Sequence, residues 1–121
     1  MTEGSFHDKL KIKMDEFVHL VYALTKKFPK DELYGVVSQI RRAALSIILN
    51  YIEGYARRKK LVMLNFLEIS YGSPKECKYL LHFSFKEKYL NEKEYQEAMK
   101  LAEEIGAMLW KTTRNLENKG Y

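Results

Sequence analysis

Between Gln39 and Glu76 the apolar, small and charged residues of this chain recur at helical spacing through two consecutive segments joined by a run of cations. Leu33, Val36, Val37, Ile40, Ala43, Ala44, Ile47 and Tyr51 fall within roughly 60° of one direction when placed at about 100° per residue. A helix that long with one apolar side must bury that side against other elements. The two prolines and six glycines, most of them near segment ends, leave little room for the tight turns of an all-β design.

The flanking segments carry the same period. Leu10, Met14, Phe17, Val21, Leu24 and Phe28 mark one face of a first helix, which Phe28-Pro29 ends; Asp31 is placed to cap the next. After the cations, Met63, Phe66, Leu67, Ser70, Cys77, Leu80 and Leu81 mark a third helix. Ser73-Pro74-Lys75-Glu76 has the form of a capping box, but the apolar phase continues through it, so one helix kinked at Gly72 to Pro74 is expected. Small Ser70, Gly72 and Ser73 would let another backbone approach closely. Asn91 is a candidate cap for a fourth helix, with Tyr95, Ala98, Ala102, Ile105, Leu109, Thr112 and Leu116 inside and a frayed end from Asn118 to Tyr121. The expected fold is all-α: a single domain over 1–121 forming an up-down-up-down antiparallel four-helix bundle, with helices roughly 8–27, 32–56, 61–85 and 91–117.

Helix two carries more apolar surface than one bundle uses. Leu45, Ile48, Leu49 and Ile52 lie about 120° around from its core face. Either they meet two neighbouring helices of the same chain or they form a subunit interface, and the interface is the expectation. A narrower strip, Gln39, Arg42, Ser46, Asn50 and Glu53, is either solvated or a partly buried hydrogen-bond network.

Residues 1–60 hold 12 Lys/Arg against 7 Asp/Glu, and residues 61–121 hold 9 against 9, so the whole net charge of +5 sits in the first half. Its densest part is Arg57-Arg58-Lys59-Lys60 at the end of helix two. Cations there complement the helix dipole, and the same charges suit phosphate contact. No signature of an RNA-recognition motif or metal-stabilised finger accompanies them.

Little points to catalysis. Glu16-Phe17-Val18-His19 has the Glu-x-x-His form of di-iron bundles but occurs once, and His7 and His82 complete no ligand cluster, so no metal and no cofactor are expected. Cys77, the single cysteine, reads as a small core residue. No phosphate loop, nucleophile elbow or carboxylate pair is present. The lone thiol, the lack of a basic-then-apolar start and the lack of a membrane-length apolar run point to the cytoplasm, with no membrane contact.

Taken together, Phe28-Pro29, Tyr34, Gln39-Ile40-Arg41-Arg42-Ala43-Ala44, Ser46-Ile47, Asn50, Glu53-Gly54, Phe66-Leu67, Ile69, Gly72-Ser73 and Glu76 resemble the 23S rRNA intervening-sequence proteins, over most of the chain. The resemblance implies a four-helix bundle assembled as a homopentamer around a channel. It also implies kinship with the accessory proteins of diversity-generating retroelements, which bind nucleic acid and a reverse transcriptase. By position, Arg42, Asn50, Glu53, Ser73 and Glu76 match recurrent polar residues of that family, implying a structural network between helices two and three. Tyr51-Ile52, where the family usually has a smaller pair, and Pro74 depart from its pattern. The function expected is a non-enzymatic homo-oligomer that binds RNA or DNA through Arg41, Arg57, Arg58, Lys59 and Lys60. The alternative is a scaffold that captures a protein partner without touching nucleic acid.

Overall fold

The structure, a computed structural model, describes residues 3–118. Four helices make up the chain: α1 (Glu3–Thr25), α2 (Ser38–Tyr55), α3 (Lys60–Lys86) and α4 (Glu92–Asn118), with no strand among the described residues. The expected frayed segment beyond Asn118 lies outside the described residues. The apolar stripes meet as their spacing requires: Leu10, Met14, Phe17 and Val21 of α1, Ile40, Ala44 and Ile47 of α2, Leu67, Cys77 and Leu81 of α3, and Ala98, Ala102, Ile105 and Leu109 of α4 form one buried core. Full burial of each large aliphatic or aromatic member contributes about 1.5–3 kcal/mol.

The seams between helices differ in chemistry. α2 packs most extensively on α3, where Gly54, Ser70 and Ser73 are buried and Ser70 Oγ donates to the Ile47 carbonyl at 2.6 Å. α1 and the turn that follows it are bridged to α4 by Lys13 Nζ to Glu104 at 2.7 Å and by the Lys27–Glu94 ion pair. At the α1–α2 seam, Arg41 Nε donates to Thr25 Oγ1 at 2.9 Å, and His7 bonds the Tyr51 hydroxyl.

Three expectations meet different outcomes. α2 does not start at residue 32: a 3-10 turn (Lys30–Glu32) and a wide π turn (Leu33–Val37) precede it, and Gly35 sits outside helical geometry at φ −109°, ψ −116°. The capping oxygen comes from Glu32, which accepts the Val36 N–H at 3.4 Å, and not from Asp31. Glu32 also accepts the Tyr89 hydroxyl at 2.7 Å, so the α3–α4 loop holds this turn in place. The altered phase turns Leu33 out of the core, to 48% exposure. Second, α3 is one helix from Lys60 to Lys86 with Pro74 inside it, as the continuous apolar phase required. Ser70, Ser73, Pro74 and Cys77 are all buried, and packing across both neighbours overrides the local stop signal. Third, Gly72 is not a point of close approach, since a Cβ added there would meet nothing within 4 Å.

The ends of α3 and α4 follow local rules closely. Lys88, at φ 67°, follows α3 while Tyr89 N–H bonds the Ser84 carbonyl and Lys88 N–H the Phe85 carbonyl, a Schellman arrangement. Asn91 Oδ1 then accepts the Glu94 N–H at 2.8 Å and Glu94 Oε1 accepts the Asn91 N–H at 2.9 Å, a reciprocal capping box.

Candidate functional site

The basic turn stays close together in space but its four cations are not equivalent. Arg57 pairs with Glu53 one helical turn back and lies 5.2 Å from the Phe66 ring centre. Lys60 reaches the Glu117 carbonyl near the end of α4, at 3.5 Å. Arg58 and Lys59 are exposed, and neither side chain has a hydrogen bond or ion pair among the described residues. Together with Ala56, Arg57 and Val62 they line a groove of about 690 Å³. With Lys59 in extended geometry as the N-cap of α3, the first turn of that helix opens into the same region. An anion here would meet two uncommitted cations and a helix N-terminus.

Arg41 is not part of that surface. It lies in the first turns of α2, 14 residues before the Tyr55 end that leads into the basic turn, about 21 Å along the axis by helical rise. Its guanidinium is held by Thr25 and by the Tyr22 ring, 4.5 Å from the centre. The structure assigns it to the α1–α2 seam, because a half-buried guanidinium takes a hydrogen bond and an aromatic face before it takes solvent.

Of the expected polar network, only part assembles within one chain. Asn50 Nδ2 donates to the carbonyl and the hydroxyl of Ser46 at 2.9 Å each. Ser73 Oγ stands 2.9 Å from Ser46 Oγ and 2.9 Å from the Ile69 carbonyl. Ser46 is thus the node joining α2 to α3. Glu53 is engaged by Arg57 instead, and Arg42 and Glu76 are exposed, with no hydrogen bond or ion pair among the described residues.

The second apolar stripe of α2 divides in two. Leu45 and Ile48 are partly covered and pack against the core, whereas Leu49 and Ile52 remain 57% and 52% exposed. Ile69 on α3 is 51% exposed, and its position beside Ser70 and Ser73 puts it next to the α2 seam. The pair α2–α3 therefore presents an uncovered apolar face.

Two features escaped sequence reasoning. His7, just outside the expected helix bounds of 8–27, is inside α1, bonded to Tyr51 and edge-on to Tyr55. Phe6 at four residues before Leu10 extends the apolar period back to it and was the available signal. The other is a groove of about 390 Å³ between α3 and α4, lined by Tyr71, Pro74, Lys75 and Lys78 on one side and Ala102, Glu103, Gly106, Ala107 and Trp110 on the other. Its signal was two matched helical ladders, Tyr71-Lys75-Lys78 and Glu103-Gly106-Trp110.

His19 pairs outward with Asp15, and among the described residues no group of three His, Cys, Asp or Glu side chains is placed to hold a metal ion. Cys77 is fully buried, and burial pushes its thiol up to about 12. No helix among the described residues is long and apolar enough to cross a membrane.

Comparison with known proteins places this arrangement. The chain is similar over 87% of its length to 98% of a Bacteroides thetaiotaomicron protein of unknown function from the S23 ribosomal protein family, whose crystal structure was determined at 1.70 Å; the TM-score is 0.80 and the identity 23%. That likeness establishes the fold. Comparison with functionally curated proteins gives no match. The sequence profile of the 23S rRNA-intervening sequence protein matches residues 9–111, which takes in the core of all four helices, the basic turn and the α3–α4 groove. The chain belongs to the 23S rRNA-intervening sequence protein family.

Proposed function

We propose that the protein is a non-enzymatic, antiparallel up-down-up-down four-helix bundle that assembles as a homopentamer and binds nucleic acid through its basic turn, repeated around the ring. The observation that carries the binding reading is the pair Arg58 and Lys59, two exposed and uncommitted cations flanking a groove at the start of α3. Weak phosphate contacts of this kind gain strength when an assembly repeats them. The uncovered Leu49, Ile52 and Ile69 supply the assembly surface. Arg42 and Glu76, which make no ion pair among the described residues, would find partners across that surface.

The test measures binding of structured RNA and duplex DNA over a salt series, with the mass in solution determined in the same buffer. Replacing Arg58 and Lys59 by Gln should weaken binding to both and flatten the salt slope by about 2, at roughly 0.9 per lost phosphate contact. Leu49→Glu should reduce the mass, and with it the avidity. If intact oligomer binds neither polymer at low salt, the reading fails.

The second reading is a scaffold that presents surface to a protein partner, such as a reverse transcriptase, without nucleic-acid contact. It draws on Tyr34, 92% exposed in the turn before α2, and on exposed Leu61 at the start of α3. It predicts capture of that partner unchanged by the Arg58 and Lys59 replacements.

A further inference from the structure

The groove between α3 and α4 has a composition that the basic turn lacks. Tyr71 and Trp110 line it from opposite helices, its α4 side is built of Ala102, Gly106 and Ala107, and Lys75 and Lys78 line its α3 side. Lys75 Nζ lies 4.1 Å from the centre of the Tyr71 ring and the Arg114 guanidinium 5.4 Å from the centre of Trp110. Small residues on α4 leave the groove open to a flat ring, and the half-exposed indole offers it a stacking face.

Charge selects which flat ring. Glu103 lines the groove itself, where it repels a phosphate but can accept a hydrogen bond from the N–H of a base. Lys75 and Lys78 supply positive charge around the aromatic rings, and Arg114, which pairs with Glu117 at 3.2 Å, could exchange that carboxylate for a phosphate where a sugar-phosphate backbone would run. The groove also leads toward the basic turn: Lys60 touches the Glu117 carbonyl, and Arg114 and Trp110 lie three and seven residues back along α4, about 10 Å in all by helical rise. A strand held by phosphates at Arg58 and Lys59 can thus continue along α4 with an unpaired base entering the groove.

We propose that the α3–α4 groove is a base-stacking subsite for single-stranded nucleic acid, with Trp110 and Tyr71 as the stacking residues and Lys75, Lys78 and Arg114 flanking them as backbone contacts. This rests on the nucleic-acid reading above and narrows it: the preferred ligand is an unpaired strand, because a base inside a duplex cannot enter the groove.

Trp110 is the single tryptophan of the chain, so its emission reports the groove directly. The experiment titrates the intact protein with a twelve-nucleotide oligouridine, a duplex of equal length and inorganic polyphosphate. Binding is read by anisotropy of labelled strands or competition with them, and Trp110 emission is read with unlabelled ligands. Oligouridine should quench Trp110, while the duplex and polyphosphate bind without quenching. Trp110→Ala should weaken oligouridine roughly ten- to hundredfold and leave polyphosphate unchanged. Trp110→Phe, which keeps a stacking face and the helix, should retain most of the affinity even if the alanine variant folds poorly. Arg58→Gln with Lys59→Gln should weaken all three ligands.

Oligouridine that binds without altering Trp110 emission, with equal affinity in the Phe and Ala variants, overturns the subsite and leaves the basic-turn reading standing. No binding of any polyanion overturns both. Trp110 emission that changes with protein concentration alone means that a second copy fills the groove, and this also overturns the subsite.

Discussion

Gly54 of α2 lies directly against Leu67 of α3: a Cβ placed on the glycine would stand 3.2 Å from the Leu67 side chain and 3.2 Å from the Met63 carbonyl. In an open helix, Gly→Ala would stabilise by about 1 kcal/mol. Here the added methyl meets rigid backbone, and overpacking costs about 1–3 kcal/mol. Gly54→Ala should therefore lower stability by about 1 kcal/mol in urea unfolding, and a gain in stability would refute the close contact.

Lys88 holds the left-handed position that ends α3, at φ 67°. That geometry suits glycine, and a lysine side chain there is strained by about 1 kcal/mol. Lys88→Gly should raise the melting temperature by a few degrees, with the helical signal unchanged. A lower melting temperature would mean that the lysine stem contributes packing that outweighs the strain.

The buried Cys77 thiol, held up to about 12, is neither exposed nor ionised at pH 8 in the folded chain. Because the folded value lies above the unfolded one, the thiol's contribution to stability is present below about pH 9 and is lost as pH rises through the folded value. Labelling by a disulfide reagent at pH 8 should follow global unfolding, slowing whenever urea is removed. Rapid labelling under native conditions would contradict this burial.

Hydrogen bonds from Lys13 and Lys27 hold the carboxyls of Glu104 and Glu94 below the usual range. A carboxyl depressed on folding contributes stability above its unfolded value, near pH 4.3, which is lost as pH falls through the lower folded value. The double replacement Glu94→Gln and Glu104→Gln should lower stability slightly and evenly above about pH 5, flatten the acid limb below it and converge with the parent at low pH. An acid limb identical to that of the parent would show that these pairs carry no linkage.

Most of the fold could be read from residue spacing because each helix has a single buried stripe: Leu10 to Val21, Ile40 to Tyr51 and Ala98 to Leu116 were placed correctly by period alone. Asn91 was legible as a cap because its partner, Glu94, is three residues away. What could not be read came from distant partners. Glu32 replaced Asp31 as the cap because Tyr89, 57 residues away, fixes it. Pro74 was an ambiguous signal: its capping-box form argued for a new helix, and only the apolar phase on either side argued for the single helix that forms. At the site, the charges of Arg57, Arg58, Lys59 and Lys60 were plain, but their separate commitments were not. Arg41, grouped with them by charge, belongs to Thr25 and Tyr22. The Trp110 groove is split between two helices that sequence shows singly.

The ion-paired seam between α1 and α4 makes this bundle unequal in time as well as in chemistry. Lys13 and Glu104 are 91 residues apart and Lys27 and Glu94 are 67 apart, whereas the serine-lined α2–α3 contacts join residues 23 and 27 apart. Loop closure favours the shorter span, so the α2–α3 contacts should form before the α1–α4 seam closes. That seam is also the first to part: amide protons of α1 should exchange faster than those of α2 and α3, and faster still at high salt. The α2–α3 pair, which carries the basic turn between its helices, is then the part of the molecule that keeps its shape longest.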